Sequence, residues 1–419
     1  MGKLSVVIGA QWGDEGKGKW VDQIAKDLDI VCRFQGGNNA GHTIYIEGQK
    51  HVLHLLPNGV FYPHTKIALT SAVVIDPVVL LKEIQDVSSI NKLTADRLWV
   101  SPNCHVITPW HVFQDTLSEE KSINPIGTTR RGIGPTYADR ALRKGLLFSE
   151  FVNDDKRKQW IMERVELDER FKRFYDEHEQ IWKAFEATVP YLKDYLHPAE
   201  TYVRRALQEN KQVLCEGAQG VLLDLAHGSY PFVTANSTHA AQAAVSLGID
   251  PRKINSILGV AKVYATRVGS GPFPTELKDD IGRTLLEKGS EYGSTTRRPR
   301  RCGWFDAVAM RFAQELNGFD GIYINKLDIL TGFSELKICV AYKHPRLGLL
   351  DEYPSEADIL SECTPVYESY PGWKDEIPKS GNRQDLPSAA QHFLSQIETL
   401  AKIKILKIGT GADRGAFVS

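Results

Sequence analysis

The stretch Gly9-Ala10-Gln11-Trp12-Gly13-Asp14-Glu15-Gly16-Lys17-Gly18-Lys19 follows directly on the apolar run Leu4 to Ile8. It reads as a buried strand opening into a glycine-rich loop and then a helix. Glycines let a backbone turn sharply and aim N–H groups at an anion. The helix start adds the positive end of its dipole, and Lys17 adds a compact charge. The spacing departs from the usual Gly-x-x-x-x-Gly-Lys-Ser/Thr phosphate loop: six residues separate Gly9 from Gly16, and Gly18 stands where a magnesium-binding hydroxyl would. The loop carries two acids instead, Asp14 and Glu15, where a loop that only holds phosphates avoids negative charge. At least one of them should therefore have a chemical task.

A second motif lies far along the chain, where Gly321-Ile322-Tyr323-Ile324 ends in Asn325-Lys326-Leu327-Asp328. Asn-Lys-x-Asp closing a strand is a guanine-reading pattern: one carboxylate can accept from both the ring N1–H and the exocyclic amine of guanine, and adenine lacks that donor pair. Gly409-Thr410-Gly411, after the apolar run Ile403 to Ile408, suits a second wall for the base, because small residues let a backbone approach a flat ring.

Outward from these motifs, apolar runs of strand length alternate with helical patterns: Ser5 to Gly9, Ile30 to Phe34, Val213 to Glu216, Ile257 to Tyr264, Ile322 to Asn325, Ile338 to Tyr342 and Ile403 to Ile408. Runs of this kind are buried on both faces. They predict an α/β fold with a large, mostly parallel central sheet flanked by helices. Tyr45 to Val52 carries Glu47-Gly48 between short strands and predicts a hairpin. From 148 to 210 the pattern is helical. Trp160, Val165, Phe171, Phe174, Ile181, Trp182 and Phe185 recur at helical spacing and are expected to form core stripes of a helical insert. No linker or repeat divides the 419 residues, so the expectation is a single domain over 1–419.

Hydrophobic residues make up 42% and charged residues 25%, with a net charge of -1, which points away from a nucleic-acid surface or a charged tail. No apolar run reaches the length of a membrane span, and a charged glycine loop follows the first strand, so neither a membrane nor a signal peptide is expected and the location reads as cytoplasmic. The six cysteines, at 32, 104, 215, 302, 339 and 363, show no metal spacing and read as reduced core residues.

Four further segments combine glycines with hydrogen-bonding and basic residues and read as working loops. Gln35 to Thr43 follows the second strand and holds Asn39, Gly41 and His42; His42 and Asp14 read as an acid–base pair. Ile126 to Pro135, with Arg140 and Arg143 beyond, suits a second phosphate. Glu216-Gly217-Ala218-Gln219-Gly220 ends another strand with an amide placed to read a base edge. The last segment, 293–301, packs Arg297, Arg298, Arg300 and Arg301 around Pro299 behind hydroxyls, as a carboxylate clamp would.

Taken together, these segments resemble the adenylosuccinate synthetase family, in its order, from residue 4 to about 414. The match includes the Gln-Trp-Gly-Asp-Glu-Gly-Lys-Gly-Lys loop, Gly-Gly-x-Asn-Ala-Gly-His-Thr, Gly-Thr-Thr-x-x-Gly-Ile-Gly-Pro, Glu-Gly-Ala-Gln-Gly, Ala265 to Glu276, the arginine loop and Pro371-Gly372-Trp373. The resemblance implies a ligase that uses GTP, IMP and L-aspartate with Mg2+, in AMP synthesis. Asp14 would take the proton from N1 of the hypoxanthine, so that O6 attacks the γ-phosphate, and His42 would donate to the β/γ oxygens as the acid, with Lys17 and Gln219 assisting. It assigns GTP to Gly13, Glu15, Gly16, Lys17, Gly18, Gly41, His42, Thr43, Arg300, Lys326, Asp328, Thr410 and Gly411. IMP falls to Asp14, Asn39, Thr129, Arg143, Gln219, Thr234 and Arg298, aspartate to Thr295, Thr296 and Arg298, and Mg2+ to Asp14 and the Gly41 carbonyl. Arg143 matches an arginine that reaches the neighbouring subunit's IMP, which implies a homodimer.

The chain also departs from the family pattern. Arg297 replaces the Gly of Thr-Thr-Gly-Arg, Leu69 to Val74 replaces a Gly-Asn-Gly-Val-Val stretch, Thr234 to His239 replaces Thr-Ser-Ser-Asn, and Ala412 replaces the Pro of Gly-Pro-Asp-Arg. These changes cluster around the IMP and amine sites and leave open a specialised ligase that joins another amine or purine monophosphate. A reading from a different class is a GTP-binding protein without ligase activity; the presence of Asp14 and Gln219 speaks against it.

Overall fold

The computed structural model describes residues 2–46, 49–293 and 298–419. Its central feature is a ten-stranded sheet. In chain order the strands are β1 (Lys3–Gly9), β2 (Ile30–Arg33), β3 (Lys66–Leu69), β4 (Leu98–Val100), β5 (Gln212–Gly220), β6 (Ser256–Lys262), β7 (Gly321–Asn325), β8 (Ser380–Gly381), β9 (Ile405–Gly409) and β10 (Phe417–Val418). Across the sheet they run β8-β10-β9-β7-β6-β1-β5-β2-β3-β4. Every pairing is parallel except β9 with β10. β1 lies between β5 and β6, and the connections diverge to its two sides. In open parallel sheets the crevice beyond the strand C-termini at such a point is where ligands settle.

The reason for this arrangement is visible in β1, where Leu4, Val6, Val7 and Ile8 are all buried, so both faces need cover. One core contains Leu4, Val6, Ile8, Val213 and Ile322; a second contains Val7, Val31, Ile67, Leu69 and Leu214. Alternate residues of β1 thus serve opposite layers. Helix α1 (Lys17–Ala25) follows the glycine loop and sends Trp20 and Val21 into the second core. All six cysteines are buried and free, as the sequence predicts. No helix among the described residues is long and apolar enough to cross a membrane.

Two sequence expectations need correction. Ile338 to Tyr342 does not join the parallel sheet. It lies within Glu335–His344, the centre of a second, four-stranded sheet with Phe305–Asp306, Gly348–Leu350 and Thr364–Pro371. A buried apolar run reports burial but not which sheet it enters. The helical segment is present as Phe148–Phe151, Asp154–Leu167, Glu169–Glu177, Glu179–Glu186, Val189–Leu192 and Ala199–Gln208. Phe171, Phe174, Trp182 and Phe185 are buried there, but Ile181 is 51% exposed and Ile161 occupies the core instead. Ile181 directly precedes Trp182, and adjacent helix positions cannot both face the same core. The expected hairpin pairs His42–Ile46 with Gln49–Leu53, and its turn at 47–48 lies outside the described residues.

Candidate active site at the sheet's C-terminal edge

The glycine loop folds around its own acid. Glu15 is 0% exposed; its carboxylate accepts from the Gln11 N–H at 3.1 Å, the Gly13 N–H at 2.8 Å and Lys17 Nζ at 2.8 Å. Lys17 also donates to the Gln219 carbonyl at 2.6 Å. Glu15 therefore holds the loop in shape, and of the two acids it is Asp14, with its side chain 28% exposed, that faces the crevice. Gly16 sits at φ +87°, and a Cβ there would come within 2.8 Å of Asn325 Nδ2. Asn325 donates to the Glu15 carbonyl at 2.7 Å and accepts from Trp20 Nε1 at 3.0 Å, which locks the guanine-type motif onto the loop. Asp14, Arg143, Gln219 and Lys326 adopt positive φ and make up half of the eight non-glycine residues that do so among the described residues. Such strain persists where the surrounding structure imposes it, often at functional sites.

Asp14 and His42 are held apart. Asp14 Oδ2 accepts from Arg300 Nε at 2.9 Å, and the same guanidinium donates through Nη1 to Glu291 at 2.6 Å. His42 is turned into a buried cluster against the Glu216 carboxylate, with Arg33 Nη1 2.9 Å from its Nε2 and Asn58 Nδ2 3.0 Å from its Nδ1. Glu216 further accepts from the Asn58 backbone N–H and Nδ2, both at 2.9 Å. Burial works to raise the Glu216 carboxyl, but His42, Arg33 and the Asn58 N–H outweigh it and hold it down to about 2. The sequence reading did not single out Arg33 or Asn58 and took Glu216 only as part of a segment. The signal available was a charged residue at the end of β2 and another closing the apolar run Val213 to Glu216 within β5. Arg33 and Glu216 are register partners across β2 and β5.

Glu291, also missed, is a second buried hub. Its carboxylate accepts from Lys262 Nζ at 2.8 Å, Tyr264 Oη at 2.6 Å and Arg300 at 2.6 Å, with Lys326 3.9 Å away. Burial opposes its ionisation, yet Lys262, Lys326 and Arg300 hold it down to about 2. The hub joins the end of β6, the arginine segment and the guanine-type motif. Arg300, which the family resemblance assigns to GTP, is here the tie between Asp14 and this hub.

At the guanine-type end, Lys326 donates to the Gly289 carbonyl at 2.7 Å, and Asp328 Oδ1 is buried with no hydrogen-bond partner in the protein. Burial raises the Asp328 carboxyl against the pull of Lys326 and Lys19. Lys19 donates to the carbonyls of Gly411 at 2.9 Å and Ala416 at 2.6 Å, which fixes the wall formed by Thr410 and Gly411; burial lowers its pKa to about 8.

Gln219, whose backbone packs on the phosphate loop at Gly13 and Lys17, belongs to a second set of polar residues on the loops that follow the strands. Gln219 Oε1 and Nε2 and Asn39 Oδ1 are buried without partners in the protein. Gly41, Thr43, Thr129 and Thr234 are half-buried. Arg298 is exposed and donates to the Gly127 carbonyl at 3.4 Å, which brings the arginine segment to the Gly-Thr-Thr loop. Arg143 is exposed at the C-terminal cap of helix Ile133–Leu142. Thr295, Thr296 and Arg297 lie outside the described residues. Asp14 and the Gly41 carbonyl offer hard oxygen donors of the kind Mg2+ takes.

An open parallel α/β sheet with a phosphate loop at its central strand, a guanine-type Asn-Lys-x-Asp and an acid facing the crevice defines a nucleotide-dependent enzyme of the phosphate-loop type. Comparison with known proteins narrows this further. The adenylosuccinate synthetase family pattern matches residues 6–418. The adenylosuccinate synthetase of Thermodesulfovibrio yellowstonii is 43% identical over 99% of this chain and 98% of its own, and that of Bacillus cereus is 42% identical over 98% and 96%. Among solved structures, fully ligated adenylosuccinate synthetase from Plasmodium falciparum superposes with a TM-score of 0.94 at 39% identity, covering 100% of this chain and 99% of that one. The cyanophage S-2L succinoaminodeoxyadenylate synthetase, at 21% identity and a TM-score of 0.66, covering 100% and 95%, shares the fold. The chain belongs to the adenylosuccinate synthetase family and is an enzyme, a GTP-dependent C–N ligase.

Proposed function

We propose that this protein joins IMP and L-aspartate to give adenylosuccinate at the expense of GTP, and that residues 1–419 work as one catalytic unit. The observation that carries this reading is a pair of buried polar sets without partners in the protein: Asp328 Oδ1 at the guanine-type motif, and Gln219 Oε1 and Nε2 beside the phosphate loop with Asn39 Oδ1 in the loop after β2. Buried polar atoms need partners. Two nucleotides, one read at each set, supply them and bring the γ-phosphate of one to the base of the other beside Asp14.

In this reading Asp14 accepts the N1 proton of IMP, O6 attacks the γ-phosphorus, GDP leaves, and the aspartate amine then displaces phosphate from C6. Proton transfer at N1 and charge stabilisation at the γ-phosphate supply the acceleration. Arg300 must leave Asp14 for this, and His42 must turn from Glu216 toward the β/γ oxygens, where it donates. Lys17 adds charge on the phosphates once it leaves Glu15, and the N–H groups of Glu15, Gly16 and Gly18, with Gly13, Gly41 and Thr43, line them. Gln219 steadies the charge on O6 and, with Asn39, Thr129, Thr234 and Arg298, holds IMP. Thr295, Thr296 and Arg298 receive aspartate, and Lys326, Asp328, Thr410 and Gly411 hold guanine. Mg2+ fits Asp14 and the Gly41 carbonyl and neutralises phosphate charge when bound. A homodimer goes with Arg143 reaching the neighbouring subunit's IMP; its exposure, beside Leu142 at 60%, suits an interface. A cytoplasmic location completes the reading.

The test follows phosphate release and product mass together. Adenylosuccinate and phosphate are expected one-for-one, and only when GTP, IMP, L-aspartate and Mg2+ are all present. Turnover of GTP without adenylosuccinate would overturn the substrate assignment and direct a screen of amines and purine monophosphates. Asp328→Asn is expected to raise KM for GTP by about 100-fold, since the acceptor loses its charge and one of its two hydrogen bonds, and the amide N–H is set against the guanine amine. It should also admit xanthosine triphosphate, because an amide can donate to the carbonyl that xanthine carries in place of the amine. An unchanged KM for GTP would remove Asp328 from the base site.

A further inference from the structure

Outside the phosphate loop, the guanine motif and the arginine segment, one more group of side chains converges. The ligand atoms of Asp224, His227 and His239 all lie within 4.8 Å of one another. Asp224 is buried and rigidly held. Its Oδ1 accepts from the N–H groups of Ala226 at 2.9 Å and His227 at 3.1 Å, and its Oδ2 from Ser237 Oγ at 3.0 Å and the Thr238 N–H at 2.7 Å. His239 Nε2 stands 3.6 Å from Asp224 Oδ2, shielded from solvent and with no hydrogen-bond partner. A buried imidazole nitrogen without a partner leaves a polar atom unsatisfied, and a cation held between it and the carboxylate would satisfy it.

We propose that Asp224, His227 and His239 form a binding site for a divalent transition-metal ion, separate from the Mg2+ assigned to Asp14. Two imidazoles and one carboxylate suit Zn2+ or Co2+ better than Mg2+, which prefers oxygen donors and retained water. Metal–ligand bonds of about 2.0–2.2 Å need closer ligand atoms than the widest separation here. His227 is exposed and free to swing in, its ring centroid 4.8 Å from that of His239. Of the four bonds to Asp224, that from the Ser237 hydroxyl, which can rotate away, yields to the ion, and those from the Ala226, His227 and Thr238 N–H groups are the outer contacts that orient the ligand. The ion ties the two ends of the segment from Asp224 to His239 together. Thr234 lies within that segment and is anchored by its N–H to the Leu223 carbonyl at 2.9 Å.

The full-length protein, stripped with chelator and free of nucleotide, is titrated with Zn2+ and, separately, Co2+. One equivalent of either ion is expected, with the visible absorption of low-coordinate Co2+ and a higher melting temperature in Zn2+. His239→Ala is expected to abolish the Co2+ band and weaken Zn2+ by about 100-fold, and His227→Ala, on the surface and without risk to folding, by about 10-fold. Less than one equivalent bound by the parent protein, or equal binding by the parent and the His227→Ala protein, would overturn the site.

Discussion

Asp14→Asn is expected to lower kcat by about 10³-fold or more, because general-base transfer contributes typically 10²–10⁴-fold, with a smaller loss of GTP affinity that saturating Mg2+ offsets, since the same carboxylate is assigned to the ion. The amide keeps the size of the side chain and can still accept from Arg300, which now lies 2.9 Å from the carboxylate. It cannot take a proton from a nucleotide ring. Folding stability should hardly change: Asp14 is 28% exposed, and a partly solvated ion pair contributes little. Single-turnover phosphate release and GTP titration separate chemistry from binding, and near-normal turnover would show that another group takes the proton.

What was legible in the sequence was what local backbone geometry writes there. Gly16 must be glycine because its φ is positive and Asn325 crowds it, so the loop showed in its glycine spacing. Asn325 to Asp328 showed because a base-reading acid must sit just past a strand end. What binds these pieces together was hidden. The Arg33 and Glu216 side chains meet across 183 residues of chain, and only the pairing of β2 with β5 brings them together. Glu291 lies outside every glycine segment, and nothing local says that three cations converge on it. Glu15 looked as functional as Asp14. The three bonds it accepts inside its own loop depend on how that loop closes, which a one-dimensional pattern does not contain. The short strands β3 and β4 went unread for a related reason: three or four apolar residues carry too little periodicity to stand out.

The ligand-free arrangement stores each acting group in an ion pair that must be exchanged. Asp14 rests on Arg300, Lys17 on Glu15, and His42 on Glu216. Substrates bearing phosphate and carboxylate compete for the same cations, so binding and the release of these groups are coupled. Arg300 is shared between Asp14 and Glu291 and can leave the first while keeping the second. The base is thereby uncovered without stranding a buried arginine.

The largest loss of stability is expected from Glu216→Gln. Glu216 is 0% exposed, and among the described residues its carboxylate is the one anion within ion-pair distance of Arg33, itself 1% exposed, as well as the acceptor for the backbone and side-chain N–H groups of Asn58. The amide keeps the volume but leaves the guanidinium without a counter-charge, and removing one partner of a buried pair costs about 3–5 kcal/mol. At roughly 2 °C per kcal/mol for a large domain, the melting temperature should fall by about 5–10 °C. The pH dependence fixes the cause. The folded carboxyl is held at about 2, below the roughly 4.3 of an unfolded glutamate, so its stabilisation is fully present above about pH 4.3 and is lost as pH falls towards 2. Melting curves of parent and variant should therefore lie furthest apart near neutral pH and converge in acid. A gap that persisted unchanged below pH 3 would assign the loss to packing rather than charge. His42 loses its carboxylate partner in the same variant and is free to face the phosphates at all times. Its kcat should consequently fall far less than that of Asp14→Asn, and a comparable fall would mean that Glu216 also positions His42 during catalysis.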